Sequence, residues 1–366
     1  MRTHRGWSRP KGRILFVTQT ARTEAPYLDP SARYRCYNPA EVLEDEGFIV
    51  DVVAQQNLTT GLTENYDAFV FHRPYGGDPN LVTCLDAIRK RGCPAVADYD
   101  DLIFAPEYAL ESSIFLNGVR NETQTRRIFN DNYLGFMQFD SFTVSTGPLR
   151  DHVHRLRPDA RVTIVRNGLS RRLVATFDTH RRAMVPDEGR CLKVMTYLSG
   201  TASHNKDFES VADVLAAFLA AHREFRLAIA GPLELPTGFP RDSLIRLPHR
   251  EYRDFFASAG VAFFNIAPLK PCNAFNACKS GLKFFESGIW GVPSVVSPLE
   301  DFRRFGDSPG IAICEDEQSW RAALEAFADK GSCAVAAGGL HEYCLANCMA
   351  EAQSKKFLPL LSGNEP

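Results

Sequence analysis

Three charged side chains in the segment NACKSGLKFFESGIWGVP (276–293) carry the most chemistry in this chain. Lys279, Lys283 and Glu286 fall at i, i+4 and i+7. The spacing predicts a helix with these residues on one stripe and Leu282, Phe285 and Ile289 on the opposite, apolar stripe. Gly291 stands where a helix end wants a left-handed residue, and Pro293 then opens a short β-run. Lys279 and Ser280 at a helix start suit an anionic phosphate, because unpaired backbone N–H groups and the helix dipole point there. A carboxylate two turns on, Glu286, suits sugar hydroxyls. The competing reading of the same stretch is an exposed Lys283–Glu286 ion pair of small energetic consequence.

Other polar residues cluster at the ends of apolar runs. In SGTASHNKDF (199–208), Ser199, Gly200 and Thr201 form a small polar turn that lets backbone N–H groups approach a phosphate, while His204 and Lys206 supply charge. The alternative is an ordinary loop with Asp207 capping a helix. Gly231, in IAGPLE, belongs to a Gly-Pro turn that lines a nucleotide or is simply a turn. Asn273 and Asn276 can offer amide hydrogen bonds to a sugar. Nearer the start of the chain, Asp98, Asp100 and Asp101 follow one another in ADYDD, with Asp98 and Asp100 on one face of a strand. A divalent cation is one use of such a pair. No further ligand cluster accompanies it, so acceptor-hydroxyl binding, general-base assistance or helix capping by Asp101 are the stronger uses, and no metal is expected. Arg33 and Arg35 suit a phosphate or an acidic acceptor. His72 and Arg73 complete the acceptor-side set.

Elements must bring these positions together. Twelve short β-branched or aromatic runs punctuate the chain: 13–18, 48–54, 67–72, 95–101, 141–146 and 161–168 in the first half, then 193–200, 225–231, 244–248, 261–268, 293–298 and 310–315. Helical patterns such as PAEVLEDEG and SWRAALEAFADKG lie between them. Continuous apolar strands alternating with helices imply parallel sheets covered on both faces. The pattern restarts near residue 190, after a polar stretch with Pro and Gly. The expected fold is therefore α/β, with two doubly wound, Rossmann-like domains facing across a cleft. The expected division is a basic leader at 1–12, an acceptor-side domain at 13–185, a nucleotide-sugar-binding domain at 186–345 and a C-terminal helix at 346–366 packing back toward domain one. Open α/β sheets bind ligands beyond the carboxyl ends of their strands, where the polar residues above are concentrated.

Bulk composition narrows the function classes. The 366 residues are 45% hydrophobic and 23% charged, a globular balance, and the net charge of −2 offers no basic field for nucleic acid. The ten cysteines show no CxxC and no zinc spacing, consistent with small buried side chains in a reducing compartment. No run of about 18 apolar residues suggests a membrane span. The cytoplasm is the expected location. The basic N-terminus reads as a disordered leader, with contact to the inner face of a membrane as its alternative.

Together these residues resemble the retaining glycosyltransferases of the group-1 kind (family 4), which have the GT-B fold. The elements SGTxxHxxDF, AGPLE, NxxKSxLKxxE and GVPSVVSP follow the order and spacing of that family's donor domain. SxRYR (31–35), DYDDLIF (98–104), VSTGPL (144–149) and VRNG (165–168) look like its acceptor domain. The nearest likeness is to a bacterial subgroup acting in surface polysaccharide assembly. The resemblance implies transfer from a nucleotide-diphosphate sugar, without a cofactor, to a glycan or lipid-linked saccharide. It assigns Glu286 to the donor ribose and Lys206 to the diphosphate. Lys279 and Lys283 share the second diphosphate-binding position. Gly200, Thr201, Gly231 and Ser280 complete the donor-binding set, and Asp100, Asp101, His204 and Asn276 the catalytic one. The acceptor side falls to Arg33, Arg35, Asp98, His72 and Arg73. One departure stands out: Glu286 matches the second glutamate of the family's pair, but eight positions earlier, where the first glutamate contacts the transferred sugar in many members, this chain has Cys278. The Gly-Gly loop after the first strand is also missing, and the aspartate run replaces the usual His after the fourth.

Overall fold

A computed structural model describes residues 10–181, 193–199, 204–247, 256, 259–270 and 273–361. Gly200 and Thr201 lie outside the described residues, as does most of the basic leader. Among the described residues, twelve strands form where the apolar runs stand. Sheet one contains β1 (Arg13–Thr18), β2 (Ile49–Ala54), β3 (Ala68–His72), β4 (Ala95–Tyr99), β5 (Ser141–Val144) and β6 (Arg161–Ile164), ordered β2-β1-β3-β4-β5-β6. Sheet two contains β7 (Lys193–Leu198), β8 (Phe225–Ala230), β9 (Leu244–Leu247), β10 (Phe264–Ala267), β11 (Ser294–Val296) and β12 (Ile311–Ile313), ordered β12-β11-β10-β7-β8-β9. Every pairing is parallel. The expected pair of doubly wound sheets is the observed architecture.

Strand order locates the ligand crevices. β1 is flanked by β2 and β3, and β7 by β8 and β10, so each sheet reverses direction beside its first strand. Beyond the carboxyl ends at such switch points the flanking loops part and leave a crevice. Sheet one's crevice is edged by the residues after β1, β3 and β4, and sheet two's by those after β7 and β10.

Two local features shape the crevice. Asp29 caps the short helix Pro30–Ala32 by accepting from the Ser31 N–H, and Pro30 needs no helical N–H partner at that position. The chain then runs through a π-helical turn (Arg33–Tyr37) into the helix Asn38–Asp45. A π turn inserts an extra residue and re-aims the side chains within it. The second feature corrects the sequence reading. The amphipathic helix expected across 276–290 is two helices, Ala274–Ala277 and Leu282–Gly288, with Cys278–Gly281 crossing between them. Lys279 and Ser280 lie in that break. The Asp301 carboxylate accepts from the Gly281 N–H at 2.7 Å and already stands at the second helix's start. The phosphate expected there would meet a like charge. Gly291 does adopt the left-handed conformation, at φ +76.

The stretch read as polar linker is helical over Arg171–Arg181. After the second sheet the chain returns across domain one as short helices. Phe357 and Leu361 join Ile14, Phe16, Val70 and Val96 in one apolar cluster, with the Phe16 and Phe357 rings 5.7 Å apart. Nearby, the Leu169 N–H donates to the Cys348 carbonyl and the Leu169 carbonyl accepts from the Ala350 N–H. No described helix is long and apolar enough to cross a membrane.

Candidate active site

Domain one supplies a polar network beyond β1, β3 and β4. His72 ends β3, with Nδ1 2.8 Å from the Thr18 hydroxyl and Nε2 3.2 Å from both Ser31 Oγ and Asp100 Oδ1. Ser31 Oγ donates to Asp100 Oδ2 at 2.6 Å. Arg73 follows with φ +53, a left-handed backbone that side-chain-bearing residues seldom adopt, and such strain concentrates at functional positions. Its guanidinium donates to Asp100 Oδ1 at 2.6 Å and Asp101 Oδ2 at 2.8 Å. Burial works to raise the Asp100 pKa, yet Arg73 and His72 hold it well below the usual carboxylate range.

Arg35 and Asp98 sit deeper than the sequence reading placed them. They are 1% and 0% exposed. The Arg35 guanidinium grips the Asp98 carboxylate with both Nε and Nη2 and donates from Nη1 to Val165 O at 2.6 Å and Asn167 Oδ1 at 3.0 Å. Thr143 donates to the same carboxylate at 2.6 Å. These two residues are walled off from any acceptor and brace β4 against the π turn. The Asp98/Asp100 pair is spoken for in the same way, since each carboxylate faces an arginine. Arg33 remains partly exposed, donating to Tyr27 O at 3.1 Å with its guanidinium 5.3 Å from the Tyr37 ring.

In domain two the organiser is Asp207, which is buried. The helix here begins at Asn205, so Asp207 lies in the first turn and does not cap it. Its Oδ2 lies 2.9 Å from His204 Nδ1, and its Oδ1 accepts from the Lys270 N–H at 2.9 Å and from Asn276 Nδ2 at 3.1 Å. One carboxylate thus fixes two of the residues singled out for catalysis. Burial and the nearby Lys283 lower the His204 pKa. Ser199 donates to Ala230 O, and Gly231 follows at φ +109. Lys206 points elsewhere, half-exposed and paired with Glu209 at 2.8 Å.

Lys283 and Glu286 project from the second helix into the crevice. Lys283 Nζ donates to Leu198 O, the last residue of β7, at 2.9 Å and lies 5.3 Å from the centre of the Tyr197 ring. Burial pushes its pKa down to about 8. Glu286 is 5% exposed, and burial pushes its carboxyl up to about 7 against the opposing pull of Tyr34 and Lys283. The exposed ion-pair alternative for Lys283–Glu286 is excluded by that burial.

The two domains interlock at this point. The Tyr34 hydroxyl, from the π turn of domain one, donates to Glu286 Oε1 at 2.7 Å. Its ring packs in an apolar cluster with Phe284, Phe285 and Phe305 of domain two. In return, Phe275 and Cys278 of domain two pack in domain one's cluster with Phe129, Phe136 and Leu149. Lys279 Nζ reaches Asp101 Oδ1 at 2.5 Å, Asn167 donates to Ser280 Oγ at 2.9 Å, and Thr146 donates to the Cys278 carbonyl at 3.0 Å. Among the positions expected to act together, Asp100, Asp101, His72, Arg73 and Lys279 form one connected set, and His204, Asn276, Lys283 and Glu286 line the adjoining wall. Tyr34, Ser31 and Asn167 join the site without standing out as candidates in the sequence, and Asp207 organises it instead of capping a helix. Tyr34 and Ser31 lay within the quoted SxRYR motif, but nothing local reveals that Tyr34 faces a carboxylate 252 positions away.

The chain matches no protein-family model and no curated protein. Its fold has counterparts among solved structures. Sucrose-phosphate synthase from Thermosynechococcus elongatus aligns over 95% of this chain and 98% of its own, with a TM-score of 0.58 and 12% identity. HepE from Anabaena, solved in complex with UDP-glucose, aligns over 96% and 100%, with a TM-score of 0.58 and 14% identity. OtsA aligns over 97% and 100%, with a TM-score of 0.59 and 11% identity. The likeness at such identity is one of fold: two Rossmann-like domains in the arrangement of the GT-B glycosyltransferases.

Proposed function

We propose that this protein is a glycosyltransferase that moves a sugar from a nucleotide-diphosphate sugar to a glycan or lipid-linked saccharide, with retention of configuration and without a metal, in surface polysaccharide assembly at or near the inner face of a bacterial membrane. The observation that carries the reading is the convergence of Lys279, Lys283 and Glu286 with His204 and Asn276 beyond β7 and β10, directly opposite Asp100 and Asp101. HepE, a structural counterpart, binds UDP-glucose.

In this reading Glu286 accepts from the ribose hydroxyls. Lys279 and Lys283 stabilise the charge that develops on the leaving diphosphate, an interaction strongest in the transition state. The helix start contributes less than the sequence suggested, because Asp301 stands there. Asp207 orients His204 and Asn276 toward the transferred sugar. The acceptor approaches over Asp100, Asp101, His72 and Arg73. Arg33 stands partly exposed beside Tyr27 and Tyr37, whereas Arg35 and Asp98 act as bracing. The interlocked domains exclude water from the reacting bond.

The second reading is a non-catalytic binding subunit. It is favoured by Cys278, which stands where the resemblance expects a sugar-contacting glutamate and is buried in domain one's core. A thermal-shift panel of nucleotide sugars tests both readings. A bound donor raises the melting temperature by mass action, by several degrees at about 100 times Kd. Absence of a shift with every nucleotide sugar would sink the donor assignment. A shift with no donor turnover under any acceptor would favour the binding subunit.

A further inference from the structure

Domain one already engages the groups that the proposed function assigns to the donor. The Tyr34 hydroxyl hydrogen-bonds Glu286 at 2.7 Å, as a ribose hydroxyl would. The Asp101 carboxylate ion-pairs with Lys279 at 2.5 Å, as a phosphate would. Both contacts are built in. Tyr34 is delivered by the π turn, and its ring lies 6.4 Å from Phe285, edge to face, within the domain-two cluster. Asp101 is shared between Lys279 on one oxygen and Arg73 on the other, and Arg73 is held in a left-handed backbone.

Resting on the donor reading above, we infer that Tyr34 and Asp101 are internal stand-ins for the ribose and the diphosphate of a nucleotide sugar. Donor binding is then an exchange. Glu286 trades a phenol for a ribose hydroxyl, and Lys279 trades a carboxylate for a phosphate oxygen. Arg73 keeps its hold on Asp101 Oδ2 throughout. The exchange releases Asp101 Oδ1 on the acceptor side, where it can accept from the incoming hydroxyl. The donor therefore prepares the acceptor site, and the substrates bind in that order. A form closed by its own side chains also weakens apparent donor affinity by the fraction of molecules it holds.

The test is calorimetric titration of the full chain with UDP at pH 7.5, comparing wild type with Tyr34→Phe, Asp101→Asn and Glu286→Gln. Tyr34→Phe keeps the ring and removes the hydroxyl; Asp101→Asn keeps the shape and removes the charge. Both variants are expected to bind UDP more tightly than wild type, up to about tenfold if the self-closed form holds nine-tenths of the molecules. Glu286→Gln is expected to bind more weakly. The two variants probe separate contacts, so either alone carries the test if the other fails to fold. If wild type binds UDP and Glu286→Gln weakens it, while Tyr34→Phe and Asp101→Asn bind no better than wild type, the stand-in inference is overturned and the donor reading survives. If neither wild type nor any variant binds UDP, ADP or GDP, the donor reading fails and takes the inference with it.

Discussion

Replacing Arg35 by Met separates bracing from acceptor contact. Arg35 makes four hydrogen bonds from a site 1% exposed, two of them to an Asp98 carboxylate that is itself 0% exposed. Met matches much of the volume but leaves Asp98 charged and buried with Thr143 as its remaining partner. Removing one member of a buried ion pair typically costs about 3–5 kcal/mol, most of it the exposure of the surviving charge to a poor solvent. The unpaired Val165 carbonyl adds about 1 kcal/mol. Arg35→Met is therefore expected to destabilise domain one by about 4–6 kcal/mol. The double variant Arg35→Met, Asp98→Leu should recover more than half of that loss, because no buried charge remains. Hydrogen exchange read from peptides covering β1, β3 and β4 across a urea series reports this domain separately from its neighbour. A loss below about 1 kcal/mol, combined with a specific rise in the acceptor KM, would refute the bracing role and restore the acceptor contact expected from the sequence.

Two more outcomes follow from the donor wall. Glu286 is raised to about 7 and Lys283 lowered to about 8, so both are charged only in the window between. UDP affinity is expected to peak there, falling on the acid side as Glu286 protonates and on the alkaline side as Lys283 loses its charge; calorimetry from pH 5.5 to 9.5 reads the profile, and Glu286→Gln should erase the acid limb. Stability runs differently: the contribution of Glu286 is full below 4.5 and lost as pH rises through about 7, while that of Lys283 is present above 10.5 and lost as pH falls through about 8. Asp207→Ala removes the shared partner of His204 and Asn276 and is expected to lower kcat at least tenfold with a smaller change in the Kd for UDP; equal losses in both would assign Asp207 to donor binding alone.

What the sequence revealed follows from the range of the interactions involved. The strands at the centre of each sheet are short apolar runs buried on both faces, so β3 (AFVFH) and β8 (FRLAIA) announce themselves locally. Once the alternation is read, the crevices fall at strand ends, and Asp100, His72 and Lys283 can be nominated. The break at Cys278–Gly281 was hidden because the 3.6-residue pattern runs straight through it. Its cause lies elsewhere, in Asp301 at the Gly281 N–H and in domain one's cluster receiving Phe275 and Cys278. Arg35 and Asp98 looked like surface chemistry because their mutual partner is 63 positions away, and charged residues are exposed by default. Tyr34 was obscured by a π turn whose extra residue no amphipathic pattern encodes.

In the proposed function, the Lys279, Lys283 and Glu286 wall activates a nucleotide sugar for transfer. The most direct measurement is proton NMR of the anomeric region during incubation of nucleotide sugars with wild type and Glu286→Ala, with and without saccharide acceptors. Wild type is expected to consume one donor, release the nucleoside diphosphate and form an anomeric signal of retained configuration, with Glu286→Ala slower by at least tenfold. Donors that stay intact across the panel, or a Glu286→Ala rate equal to wild type, would contradict that role for the wall.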